Sequence, residues 1–240
     1  MLTKDDIAHM VDHTNLTLTT TQEEIKALCQ EAIFCHFKTV CVRSSMVSLA
    51  SHFLKNTPVL VCSVVGFPTI KTKTCDEMVR DLDQYTTESK VKEVISALRE
   101  GASEIDMVID LKALKKKEYH LVEEDIRAVV EAAASAKRKS HLVKVIIETC
   151  YLSEEEKVIA CKIAECAGAH FVKTSTGYGT HGATLQDMEL MSKVVGEKVG
   201  IKASGGVQTI EFATQLYNAS QLIRPHEFRI GSSKLKEAFY

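Results

Sequence analysis

The chain has 240 residues, of which 45% are hydrophobic and 26% charged, with a net charge of -2. That length and balance suit a soluble globular protein, and the near-neutral charge gives no reason to expect a nucleic-acid or membrane partner. The longest apolar stretch, Pro58 to Phe67, is too short to cross a bilayer, which excludes it as a transmembrane helix.

The eight cysteines include no pair with the spacing of a metal knuckle or redox motif, and the N-terminus carries no secretory apolar segment. Free thiols and a cytosolic location are the expectation. Only three prolines and no low-complexity segment occur, so no linker divides residues 1–240, and one domain is expected.

Short β-branched runs alternate with longer amphipathic ones. Strands are expected at 10–15, 39–42, 59–65, 104–109, 142–148, 171–174, 199–203 and 227–230. Helices are expected between them, at 22–35, 44–54, 75–100, 120–138, 153–167, 184–195 and 209–217. Lys115-Lys116-Lys117 is followed by acids and reads as a solvated helix start or loop. Ser153 before three glutamates has the form of an N-cap with acids in the first turn, and Gly101 and Gly168 read as helix stops.

Eight strand–helix units within 240 residues match the α/β architecture of a (β/α)8 TIM barrel. The alternative, an open doubly wound sheet, commonly carries a glycine fingerprint after its first strand. Here that place reads Asp12-His13-Thr14-Asn15.

Alternation along the strands sorts the side chains into two faces. Ile105, Met107 and Ile109 share one face of the fourth strand, and Glu104, Asp106 and Val108 the other. Val143, Val145 and Ile147 oppose Lys144, Ile146 and Glu148, and Val199, Ile201 and Ala203 oppose Gly200, Lys202 and Ser204. Lys173 falls with Phe171. The all-apolar faces must meet the helices. The interior then receives Asp106, Lys144, Lys173 and Lys202 from four consecutive strands, with Asp12, Thr14 and Cys41 turned inward from the first two. A barrel interior is ordinarily packed with branched apolar side chains. The bland alternative is a structural ion-pair network or lysines that snorkel out at the strand ends.

A lysine attacks a carbonyl only as the free amine. A second ammonium about 4 Å away at an effective dielectric near 20 costs roughly 4 kcal/mol. That is about three decades of proton affinity. The pair Lys173 and Lys202 therefore points to Schiff-base chemistry, with Asp106 placed to shuttle protons. Ser204-Gly205-Gly206 after the seventh strand and Gly231-Ser232-Ser233 after the eighth are suited to a phosphate. On these residues a transaldolase-like transferase, an isomerase or a non-catalytic phosphosugar-binding barrel stay open beside an aldolase.

Five segments resemble the deoxyribose-phosphate aldolase family of class I aldolases, nearly end to end. They are Asp12-His13-Thr14-Asn15-Leu16, Glu104-Ile105-Asp106-Met107-Val108, Lys144-Val145-Ile146-Ile147-Glu148-Thr149, Phe171-Val172-Lys173-Thr174-Ser175-Thr176-Gly177 and Lys202-Ala203-Ser204-Gly205-Gly206. The resemblance implies reversible cleavage of 2-deoxy-D-ribose 5-phosphate to acetaldehyde and D-glyceraldehyde 3-phosphate, in deoxyribose phosphate catabolism, with no metal or organic cofactor. It implies Lys173 as the Schiff-base lysine, Lys202 as the lysine that lowers its proton affinity, and Asp106 as the proton-relay acid. Asp12, Thr14 and Lys144 correspond to substrate-binding or supporting polar positions, and Gly205, Gly206, Gly231 and Ser233 to phosphate positions. A homodimer is a further expectation, since members often pair.

The chain also departs from the pattern. Gln208 stands where the family often has arginine, Lys234 where a small residue is common, and Tyr178 where some members have lysine. The expectation is that the phosphate relies on Lys234 or is bound less tightly. Cys41 corresponds to a cysteine near the pocket in some members and reads on its own as a buried small hydrophobe. Tyr240 corresponds to a terminal tyrosine that some members bring to the site.

Overall fold

The computed structural model describes residues 2–136, 141–196, 198–221 and 225–239. Eight parallel strands close a barrel in sequence order: β1 (Val11–Asn15), β2 (Thr39–Val42), β3 (Leu60–Val65), β4 (Glu104–Val108), β5 (Leu142–Ile146), β6 (Phe171–Lys173), β7 (Gly200–Ser204) and β8 (Phe228–Ser232). Closure is made by β1 on β8, with Asp12 opposite Gly231 and His13 opposite Ser232.

Helices α1 (Lys4–Ala8), α2 (Gln22–Phe34), α3 (Val47–Phe53), α4 (Cys75–Leu82), α5 (Thr87–Glu100), α6 (Leu111–Lys115), α7 (Tyr119–Ala134), α8 (Glu154–Cys166), α9 (Leu185–Val195) and α10 (Ile210–Ser220) surround it. Among the described residues, no helix is long and apolar enough to cross a membrane. All eight cysteines are free thiols.

Local chemistry accounts for the helix ends. Ser153 caps α8 by accepting from the Glu156 amide, while the Glu156 carboxylate accepts from the Ser153 amide. Gly101 ends α5 at a φ of +115°, a conformation that side chains disfavour.

The span 75–100, expected as one helix, is two. Thr86 starts α5 with a reciprocal cap to Ser89, and the Tyr85 hydroxyl donates to the Phe67 carbonyl at 2.9 Å, tying the break to the end of β3. The helix expected at 44–54 opens with a 3-10 turn, Ser44–Met46. That expected at 120–138 runs to Ala134, and its last two positions lie outside the described residues. Lys116 and Lys117 form the turn after α6.

The two faces of the strands separate as alternation requires. Ile105, Met107, Val143, Val145, Val172, Ile201 and Ala203 join the main core between strands and helices. A second, smaller apolar cluster fills part of the lumen with Cys41, Cys62, Val64, Val108 and Ile146. Much of the rest of the lumen is ionic.

Candidate active site

Register places the charged residues on one inner wall. Asp106 lies opposite Lys144 between β4 and β5, Lys173 opposite Lys202 between β6 and β7, and Lys202 opposite Arg229 between β7 and β8. Asp106 Oδ2 accepts from Lys173 Nζ and from Lys202 Nζ, each at 2.7 Å. Its other oxygen accepts from Lys144 Nζ at 2.9 Å and lies 3.2 Å from Cys62 Sγ.

Beneath this hub, Asp12 pairs with Lys202, with Arg229 at 2.8 Å and more loosely with Lys144 at 3.6 Å. Glu104 pairs with Lys144 at 2.6 Å and Arg229 at 2.7 Å. Arg229 also sits over the Phe171 ring, 5.7 Å from its centroid.

Buried charges are tolerated only when paired. Burial alone would push the Asp106 carboxyl up, but Lys144, Lys173 and Lys202 outweigh it and hold the group well below the usual carboxylate range. Burial likewise opposes charge on Asp12, and Lys202, Lys144 and Arg229 overcome it, leaving Asp12 an anion. Lys202 is pushed the other way. Burial favours the neutral amine, yet Asp106 and Asp12 raise its proton affinity above the ordinary lysine value. Lys202 is therefore held charged by its carboxylate partners.

Above the strand ends is a cavity of about 630 Å³. Lys173 lines it, as do Thr14, Gly205, Gly206, Gly231 and Ser233. Asp106, Lys202, Asp12 and Lys144 have no solvent exposure and do not line it. Asp12 and Lys144, expected as substrate-binding or supporting positions, are thus supports below the floor. Their side chains enter the lumen deeper along the strands than Thr14 and Lys173. Gly205 and Gly206 have φ of +82° and +78°, a left-handed pair that only glycine adopts freely. Gln208 and Tyr178 line the cavity, and the Tyr178 hydroxyl donates to the Leu16 carbonyl at 2.9 Å. Lys234 is exposed and does not line it. Cys41 is fully buried in the lumen. Tyr240 lies outside the described residues.

Several contributors escaped the sequence reading. Arg229 was not assigned a face. Glu148, expected on the inward face with Lys144 but given no role, follows β5 at a φ of +56°, and its carboxylate accepts from the Thr176 amide at 3.2 Å and from the Thr176 hydroxyl. Burial pushes Glu148 up against those hydrogen bonds. His13, Glu31, Lys71, His181 and Lys236 also line the cavity.

Among the described residues, two sets of donor atoms lie within metal-ligand reach, Cys41–Cys62–Asp106 and Asp12–Cys62–Glu104. Both lie among Lys144, Lys202 and Arg229, whose charges repel a divalent cation, and ammonium groups already occupy the oxygens of Asp106.

A family model described as DeoC/LacD family aldolase matches residues 7–239. The deoxyribose-phosphate aldolase of Caldanaerobacter subterraneus subsp. tengcongensis is 47% identical over 240 residues, covering 97% of this chain and 94% of that one. The enzyme of the same name from Thermococcus kodakarensis is 49% identical over 220 residues, covering 91% of each. Among solved structures, the tetrameric deoxyribose phosphate aldolase of Aeropyrum pernix aligns with a TM-score of 0.82 at 26% identity, covering 99% of this chain and 92% of that one.

Proposed function

The chain belongs to the DeoC/LacD family of aldolases, and from that premise we propose that it cleaves 2-deoxy-D-ribose 5-phosphate reversibly to acetaldehyde and D-glyceraldehyde 3-phosphate through a Schiff base on Lys173. The observation that carries the residue roles is the sharing of Asp106 Oδ2 by two amines, of which only Lys173 reaches the cavity.

The ion pairs of the lumen favour Lys173 as the nucleophile. Four cations, Lys144, Lys173, Lys202 and Arg229, pair with three carboxylates, Asp12, Glu104 and Asp106, in the lumen. Lys144 contacts three carboxylates and Lys202 two, whereas Lys173 contacts only Asp106. Lys173 is thus the lumen lysine with the fewest counter-charges and the one that opens on the cavity.

Lys173 Nζ then adds to the aldehyde carbon of the open-chain sugar, and loss of water gives the iminium. The electron pair of the C2–C3 bond flows into the iminium as the C3 hydroxyl loses its proton. Glyceraldehyde 3-phosphate leaves and the acetaldehyde enamine remains on Lys173. Protonation at carbon and hydrolysis release acetaldehyde and restore the amine. Asp106, an anion bridging Lys173 and Lys202, is the proton relay, and Lys202 is the charged reservoir behind it.

Thr14, Gly205, Gly206, Gly231 and Ser233 bind the substrate from the cavity wall. We take the chain to act as a homo-oligomer, with the homodimer as the smallest assembly, and light scattering decides it.

Borohydride reduction in the presence of acetaldehyde, followed by peptide mapping, is expected to leave an ethyl group on Lys173. A Lys173→Ala variant that still cleaves deoxyribose 5-phosphate would overturn the mechanism.

A further inference from the structure

A cation beside the phosphate of a bound substrate dianion adds a charge-assisted hydrogen bond to those from hydroxyls and backbone N–H groups. Among the described residues, three lysines line the cavity: Lys71, Lys173 and Lys236. Lys173 is committed to Asp106 at the floor. Lys71 belongs to the connection after β3, across the barrel from β7. Lys236 lies in the 3-10 turn Leu235–Ala238 that follows β8, three residues after Ser233, and β8 neighbours β7, after which come Gly205 and Gly206.

The amine of Lys236 is already steered. It pairs with Glu31 on α2, and the other oxygen of Glu31 is held by His13 Nε2 at 2.8 Å. His13 is buried, while the Lys236 and Glu31 side chains keep 30% and 20% exposure, so this pair stands in the cavity wall and not under it. Gln208 and Ser233, which also line the cavity, are neutral, and Glu24, the other acid of α2 in the lining, is engaged by the Thr21 amide. One cation, already oriented and carrying a single partly solvated counter-charge, is therefore available beside the glycine pair.

We propose that Lys236 is the residue that selects a phosphorylated over an unphosphorylated substrate, with Glu31, anchored by His13, as the anion that holds Lys236 in the wall and competes with the phosphate for it. This rests on the reading of the cavity as a sugar-phosphate site. An arriving phosphate takes up the lysine donors, and Glu31 keeps its hydrogen bond to His13, so neither side chain is left buried without a partner.

The test compares the ratio of kcat/KM for 2-deoxyribose 5-phosphate to that for 2-deoxyribose in the wild-type protein and in Lys236→Met, Lys236→Arg and Glu31→Gln. Lys236→Met is expected to lower the ratio about tenfold, the order expected for one charge-assisted hydrogen bond, mainly through KM for the phosphorylated substrate. Lys236→Arg should restore most of it, a rescue that a merely structural lysine would not show. Glu31→Gln should lower that KM severalfold; no change, or a rise, removes Glu31 from the role of competitor.

Calorimetric titration with inorganic phosphate is the second readout. Weaker phosphate binding by Lys236→Met supports the proposal even if deoxyribose 5-phosphate is not turned over, an outcome that would sink the substrate reading alone. Unchanged preference and unchanged phosphate binding in Lys236→Met would overturn the proposal while leaving the aldolase reading intact.

Discussion

Asp106 holds the lumen charges together at the scale of single residues. Three ammonium groups touch its two oxygens, and no water reaches them. Replacing it with asparagine keeps the shape and removes the charge that outweighs burial of Lys202. Breaking a buried pair by removing one partner costs roughly 3–5 kcal/mol. Asp106→Asn is therefore expected to lose most acetaldehyde trapping and to unfold at lower denaturant, with stability reduced by about 3 kcal/mol. A variant of wild-type stability would show that the lysines find other partners. The inward set Asp106, Lys144, Lys173 and Lys202 was legible because a period of two fixes the face, and lysine on a buried face is conspicuous. Depth was not legible. Whether Asp12 lines the cavity or underlies it depends on the stagger of eight strands, which no local pattern encodes. Lys236 and Glu31 meet across 205 positions of sequence, so nothing local joins them.

At the scale of elements, caps decide where helices begin, and glycines decide how closely loops approach. The apolar spacing runs on through 83–86, so periodicity alone reads one helix where α4 ends and α5 starts. The restart depends on the Thr86 hydroxyl accepting from the Ser89 amide at 3.2 Å. Thr86→Ala should cost about 1 kcal/mol. For a domain of this size that lowers Tm by roughly 2–4 °C. Cleavage kinetics should be unaltered, because the cap lies outside the cavity lining; altered kinetics would mean that the break positions the site. α6 escaped the sequence reading because five residues are too few to display a helical period. The loop after β6 meets the loop after β7 where Gly182 faces Gly205, and a Cβ on Gly182 would lie 2.0 Å from the Gly205 carbonyl oxygen. That contact is backbone, so it cannot rotate away. Gly182→Ala is expected to displace the Gly205-Gly206 turn and raise KM for the phosphorylated substrate, with trapping at Lys173 retained. Unchanged KM would place the phosphate elsewhere.

At the scale of the whole molecule, the core that holds the barrel together lies outside the strands, which frees the lumen for charge at the cost of acid sensitivity. The count of eight strand–helix units made closure legible, but the pH response depends on burial and partners that only the closed barrel creates. Asp12 and Asp106 are held below their ordinary values, so an unfolded chain takes up protons near pH 4 that the folded chain refuses, and stability falls steeply there. A milder loss begins higher. His170 is exposed as a residue, but its Nδ1 is turned onto the backbone and accepts from the Val143 amide at 3.1 Å. Burial first, and Lys144 second, lower its proton affinity below the ordinary histidine value of 6.5. Below about pH 6.5 the unfolded histidine binds a proton before the folded one does, so this contribution is present at neutral pH and is lost on acidification. Glu93 and Glu148, raised by burial, act in the opposite sense as the pH falls toward 4.5. The informative quantity is therefore a difference between two proteins. His170→Asn keeps an acceptor for Val143 and cannot titrate. In urea unfolding, the stability of the wild type relative to His170→Asn should shrink between pH 7.5 and pH 5.5. A constant difference would mean that His170 protonates as readily in the fold as in the open chain, and that the wall between β5 and β6 does not exclude the charge.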